Sequence, residues 1–142
     1  MLKQISVFVE NKQGALVEIT QVLAQNEINI RALSIADTKD FGILRLIVTD
    51  TDKALSALNE AGLLVKATEV VGVKIGDAPG KLGAALDVLD KAHINMEYLY
   101  AFMTRTEKHA YVVLRVEDNA SCEKALEDAG FHLITDADVA KL

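Results

Sequence analysis

Apolar and polar positions switch between two periods along this chain, and the same series of switches occurs twice. Ile5, Val7 and Val9 alternate with polar or smaller residues, the pattern of a half-buried strand. Leu16, Ile19, Val22 and Leu23 then fall at helical spacing, with Glu18, Gln21 and Gln25 on the opposite side, and Asn26-Glu27 ends the run. Residues 30–36 and 43–48 read as two strands joined by a polar turn containing Asp37, Lys39 and Asp40. A second helix is predicted over 52–61, with Asp50 or Thr51 as its N-cap and Gly62 as its stop, and a closing strand over 63–68. The second half repeats the order at 70–75, 82–92, 96–103, 109–116, 121–129 and 131–135.

The repeat extends to individual residues. Gly14 and Gly80, Leu16 and Leu82, Leu23 and Leu89, Ile28 and Ile94, and Asn29 and Asn95 are each 66 positions apart. Further on the offset becomes 68, matching Val48 with Val116, Asp50 with Asp118 and Gly62 with Gly130, as a two-residue insertion around Thr104 to Lys108 requires. The chain is therefore expected to hold two domains, 1–68 and 69–142, of α+β class: two tandem ferredoxin-like βαββαβ units. Right-handed crossovers put both helices of each unit on one face of an antiparallel sheet. The other face is then predicted to be uncovered, carrying Phe8, Ile43 and Ile47 in the first copy and Tyr98, Tyr100, Phe102, Tyr111 and Val113 in the second. Such a face favours burial, and a 66-residue unit buries only ~60% of its unfolded surface. Packing of the copies together and dimerisation of chains are expected; the alternative is that Arg45, Arg115 and the tyrosines keep the face wet.

Composition narrows the functional classes. With 142 residues and a net charge of −6, without a basic tract, the chain is a poor match for nucleic acid or an anionic membrane surface. No apolar run approaches the ~18 residues of a membrane span, and the N-terminus enters a strand pattern at once, so a cytoplasmic location is expected. The single cysteine, Cys122, sits at a core-facing helical position. His93, His109 and His132 fall on separate elements without metal-ligand spacing, so no metal site is expected. No nucleophile elbow, phosphate loop or dinucleotide fingerprint occurs, so neither catalysis nor a cofactor is indicated. The same topology serves RNA-recognition domains and acylphosphatases. The central strands Gly42–Val48 and Ala110–Val116, with only Arg45, Tyr111 and Arg115, are far from the basic and aromatic pattern of the former, and the first turns lack the arginine of the latter.

The first turn of each copy, Asn11-Lys-Gln-Gly-Ala-Leu16 and Asp77-Ala-Pro-Gly-Lys-Leu82, joins a strand directly to a helix through glycine. Such a turn gathers free backbone N–H groups at the positive end of a helix dipole and is able to hold a carboxylate. It is equally a plain connector, in which Asn11 and Asp77 act as caps. Asn29 and Asn95, each fifteen residues beyond the glycine, either complete a site or shape the turn into the next strand.

The phrase Asp77-x-Pro-Gly-x-Leu82 followed at fixed distance by His93-Ile-Asn-Met96, and its first-copy version Asn11-x-x-Gly-x-Leu16 with Ile28-Asn-Ile30, resembles the ACT domain. The likeness covers essentially the whole chain as two tandem domains. It implies a non-catalytic regulatory protein that senses a small molecule, most often an amino acid, and acts on a metabolic enzyme. It also implies domains paired side by side into an eight-stranded sheet, with ligand held where the first turn of one repeat meets the second strand of its neighbour. Carried across, the pattern assigns Asn11, Gly14, Ala15, Leu16, Asn29 and Ile30 to one site, and Asp77, Pro79, Gly80, Lys81, Leu82, Asn95 and Met96 to the other. Gln13 departs from the pattern by replacing the proline. It leaves the first loop looser, or contacts ligand through its own amide. The rival to a ligand sensor is a dimerising interaction scaffold that binds no small molecule.

Overall fold

The computed structural model describes residues 1–37, 40–104, 106 and 108–142. Of the expected hairpin features, Lys39 in the first turn and positions 105 and 107 of the inserted segment lie outside the described residues. The elements are β1 (Leu2–Glu10), α1 (Ala15–Gln25), β2 (Ile30–Asp37), β3 (Phe41–Val48), α2 (Thr51–Glu60), β4 (Val65–Gly76), α3 (Lys81–Lys91), β5 (Met96–Ala101), β6 (His109–Val116), α4 (Asn119–Asp128), β7 (His132–Ile134) and α5 (Asp136–Lys141). They form two compact units, one of Lys3–Thr68 and one of Glu69–Leu142 with Met1–Leu2. Each is a βαββαβ arrangement.

In the first unit β3 lies between β1 and β2, antiparallel to both. The segment entering β4 runs along the free edge of β1, where the Phe8 N–H donates to the Leu64 carbonyl at 3.0 Å. Inward-facing Ile5, Val7, Val9, Leu44, Leu46 and Val48 meet Ala15, Ile19 and Leu23 of α1 and Ala54 and Leu58 of α2 in one core. In the second unit β4 lies between β6 and β7, and β5 flanks β6, all antiparallel. Val71, Val73, Ile75, Val112, Leu114 and Val116 pack there against Ala85, Leu89, Cys122 and Leu126. Burial pushes the Cys122 thiol up to about 11, with the Glu123 carboxylate adding to the shift, so it is a packing residue and not a thiolate nucleophile at neutral pH.

Helix starts follow two designs, each used in both copies. Asp50 caps α2 by accepting from the Lys53 N–H, and Asp118 caps α4 by accepting from the Ser121 N–H, both at 3.1 Å. Helices α1 and α3 begin instead at Gly14 and Gly80, in left-handed backbone with φ of 86° and 85° and no side-chain cap.

Four expectations change. The strands predicted at 63–68 and 70–75 are one strand, Val65–Gly76, because Thr68-Glu69 carries no glycine, proline or asparagine to break an extended run. A further helix, α5, follows β7; its capping box is formed by Thr135 and Asp138. Leu16 is not core: α1 starts one residue earlier, its buried stripe runs Ala15, Ile19, Leu23, and Leu16 is 42% exposed. The sheet face expected to be open is largely covered. Ile47 is buried in the first unit, and Tyr100, Phe102, Tyr111 and Val113 are buried in the second, where Phe102 and Tyr111 meet edge to face. Part of that cover is α5, whose buried Val139 sits in a segment that, with Ile134, borders Tyr111. Only Phe8, half-exposed, and partly buried Ile43 remain of the first copy's predicted patch.

Candidate functional site

The end of β1 delivers the chain to the first turn, and a backbone bond fixes it there: the Asn11 N–H donates to the Asp40 carbonyl at 3.2 Å. The second copy does the same with the Asp77 N–H and the Lys108 carbonyl, at 2.9 Å. Each turn then closes on itself, with the Ala15 N–H directed to the Lys12 carbonyl and the Lys81 N–H to the Ala78 carbonyl. Glycine is required at the next step, because φ near +85° costs a side-chain-bearing residue about 1 kcal/mol. The outcome is two helix N-termini whose next N–H groups, those of Leu16 and Val17 and of Leu82 and Gly83, lack intrahelical acceptors. The N-cap residues themselves, Gly14 and Gly80, bring no side chain to cap them. Space is open at both glycines: a Cβ built on Gly14 or Gly80 meets nothing within 4 Å.

Beside the first turn lies a cavity of about 100 Å³. It brings together predicted residues Asn11, Ala15 and Leu16 with Val9, Glu10, Lys12, Ile35, Gly42 and Leu44. Polar groups sit at the mouth, where Lys12 pairs with Glu10 at 3.2 Å, and the wall of Leu16, Ile35 and Leu44 is apolar. Sequence reasoning missed Ile35 and Leu44. Their strand alternation marks them as inward-facing, and the register that pairs them directly shows that they lie at the turn end of the sheet. Gln13 and Pro79 are exposed on their turns. In the second copy Lys81 occupies the position of buried Ala15 and is exposed, so the two turns differ in floor as well as in Gln13 against Pro79.

Asn29 and Ile30 stand elsewhere. Ile30 pairs with Val48, whereas the first turn is tied to Asp40, so the two places are at opposite ends of β3, about 26 Å apart at ~3.3 Å per residue. Asn29 is held by its backbone: its N–H donates to the Thr49 hydroxyl at 3.1 Å and its carbonyl accepts from the Thr49 N–H at 3.0 Å. Asn95 likewise lies at the far end of its unit, lining a cavity of about 490 Å³ with Glu97, Glu117 and Asp118, while Met96 pairs with Val116. Neither asparagine shapes the helix exit. The left-handed residues there are Glu27 (φ 56°) and His93 (φ 57°), not the asparagines.

This architecture, two βαββαβ units each opening on a glycine-capped helix, is that of the ACT domain, and the profile of the ACT domain pair matches residues 1–142. The chain belongs to that family. Its structure is similar to the crystal structure of protein BT0572 from Bacteroides thetaiotaomicron, with 40% identity, a TM-score of 0.93, and coverage of 99% of this chain and 96% of that one. The regulatory subunit of aspartate kinase from Thermus thermophilus, in its ligand-free form, shares the fold at 17% identity and a TM-score of 0.66, with 90% and 92% of the two chains covered. The regulatory subunit of the same enzyme from Thermus flavus matches at 17% identity and a TM-score of 0.61, over 89% and 91%. No curated protein matches the chain.

Proposed function

We propose that this protein is a non-catalytic regulatory sensor that binds a free amino acid at its glycine-capped turns. The observation that carries the reading is the duplicated helix start: Gly14 and Gly80 hold the same left-handed backbone and bring no capping side chain of their own to the first-turn N–H groups, whereas α2, α4 and α5 are each capped by the side chain of their N-cap residue. An α-carboxylate accepts those N–H groups at the positive end of the helix, a contribution of ~0.3–1 kcal/mol from the dipole and up to ~2 when partly buried. The ammonium group finds acceptors in the side chains of Asn11 and Asp77 and in the amides of Asn29 and Asn95. Each asparagine lies at the far end of its own unit's sheet, so it does not serve the cradle of its own repeat. The wall of Leu16, Ile35 and Leu44 suits a small apolar side chain at the first turn.

Thermal melts with each of the twenty amino acids test the reading. A true ligand at ~100-fold excess over its Kd adds about 2.7 kcal/mol, a rise in Tm of several degrees for a chain of this size. The small apolar amino acids are expected to give the largest shifts. Melts that none of the twenty moves would instead support the interaction scaffold.

A further inference from the structure

One duplicated groove has reversed its charge between the copies. In the first unit, where β1 ends and the chain leaves Gly62, a cavity of about 310 Å³ is lined by Phe8, Glu10, Glu18, Phe41 and Leu64 together with Lys12. The matching place in the second unit is a cavity of about 470 Å³ lined by Lys74, Gly76, Lys81, His109, Phe131 and His132. By the repeat, Lys74 replaces Phe8, Gly76 replaces Glu10, His109 replaces Phe41 and His132 replaces Leu64. Two carboxylates and three large apolar side chains have given way to four basic groups, and no carboxylate lines the second groove, in a protein whose net charge is −6.

The basic groups are held side by side by sheet register. His132 pairs with Lys74, which places their Cβ atoms ~4.5–5.5 Å apart, and His109 pairs with Gly76, two residues further along β4 on its other side. Lys81 joins them because Gly76 has no side chain. A Cβ there would lie 3.0–3.3 Å from the Lys81 Cγ, Cδ and Cε, so the lysine stem runs across the glycine. The first copy has the reverse pair, Glu10 with Ala15, which makes the glycine and the lysine one coordinated change. Among the described residues neither Lys74 nor Lys81 has an ion-pair partner. Lys74 and His132 also line an adjoining cavity of about 200 Å³ with Tyr111, Asp138 and Lys141, where Asp138 is the carboxylate facing His132.

We infer that this groove, which borders the second glycine-capped turn and shares Lys81 with it, is a second ligand site that binds a phosphate-type anion carrying more than one negative charge. Lysine ammonium groups and imidazole N–H groups supply charge-assisted donors to phosphoryl oxygens. The volume falls in the range of small-molecule sites and exceeds what orthophosphate fills, so a diphosphate or a phosphomonoester fits better. Phe131 and Ile75 offer an apolar border for the organic part of a phosphomonoester.

Calorimetric titration of the whole chain with sodium pyrophosphate, beside orthophosphate, at low ionic strength tests this. Pyrophosphate is expected to bind more tightly than orthophosphate and to weaken as salt is added. Lys74→Ala and His132→Ala should each weaken it roughly tenfold, Gly76→Glu should abolish it, and Lys12→Ala in the opposite groove should leave it unchanged. Circular dichroism shows that each variant is folded, and any amino-acid response of the wild type persists in Lys74→Ala, which separates this site from the turns. No heat at millimolar pyrophosphate, or wild-type affinity in Lys74→Ala, His132→Ala and Gly76→Glu alike, would overturn the assignment.

Discussion

The double variant Gly14→Asp/Gly80→Asp is expected to lose most of the amino-acid stabilisation while remaining folded. Both positions have room for a side chain, since nothing lies within 4 Å of a built Cβ, so the structural cost is the left-handed backbone, about 1 kcal/mol per site. The functional cost is larger. A fixed carboxylate near the first-turn N–H groups repels an incoming carboxylate by about 4 kcal/mol at 4 Å and an effective dielectric of 20, and solvent screening leaves a loss on the order of 100-fold in affinity. Melts with and without the best-stabilising amino acid measure it, and each single variant should retain binding at the other turn. Undiminished stabilisation in the double variant would place the ligand elsewhere.

The second large effect is on stability, at Gly72→Ala. Gly72 lies in β4, paired with Val113 on one side and Ile134 on the other. A Cβ there would collide with Leu2 Cδ1 and would lie 2.5 Å from Ile134 Cγ1. Leu2 is fully buried and Ile134 nearly so; neither is able to swing into solvent. Overpacking of this kind costs ~1–3 kcal/mol, to be read as a lower midpoint in urea with an unchanged slope. The companion Gly83→Ala is the control: it lies in α3 with open space at its Cβ and should be neutral or stabilising. A Gly72→Ala protein as stable as the wild type would mean that Leu2 and Ile134 pack differently from the arrangement described.

Why the fold was readable in the sequence, and the site only half so, comes down to the range of the interactions. Strand alternation, the cap at Asp50 and the stops at Gly62 and Gly130 are local signals; the matching cap at Asp118 lies one residue before Asn119, where the second copy's helix looked to begin. The left-handed glycines of the first turns are local signals too, placed by a strand running straight into a helix. Burial of the sheet face was not legible. Tyr111 and Val113 alternate like residues of an open face, and what lies over that face comes from both ends of the chain: Leu2 and Ile134 beside Gly72, the partner of Val113, and α5 after a strand of three residues beside Tyr111. Leu16 misled for a different reason. An apolar residue at the start of a helical pattern reads as core until the helix phase is known, and here Ala15 takes the inward position. The place of the asparagines was not legible from spacing: their distance from the glycines is equal in both copies, yet it does not reveal that α1 and α3 carry the chain to the opposite end of the sheet.

The claim that a ligand carboxylate rests on the glycine-capped turns is tested most directly by backbone amide NMR during titration with the amino acid that most raises Tm. The amide protons of Leu16 and Val17, of Leu82 and Gly83, or of both pairs should move downfield as they gain a charged acceptor, ahead of changes at the capped starts of α2 and α4. Saturable binding that leaves all four amides unmoved and shifts resonances elsewhere would contradict it.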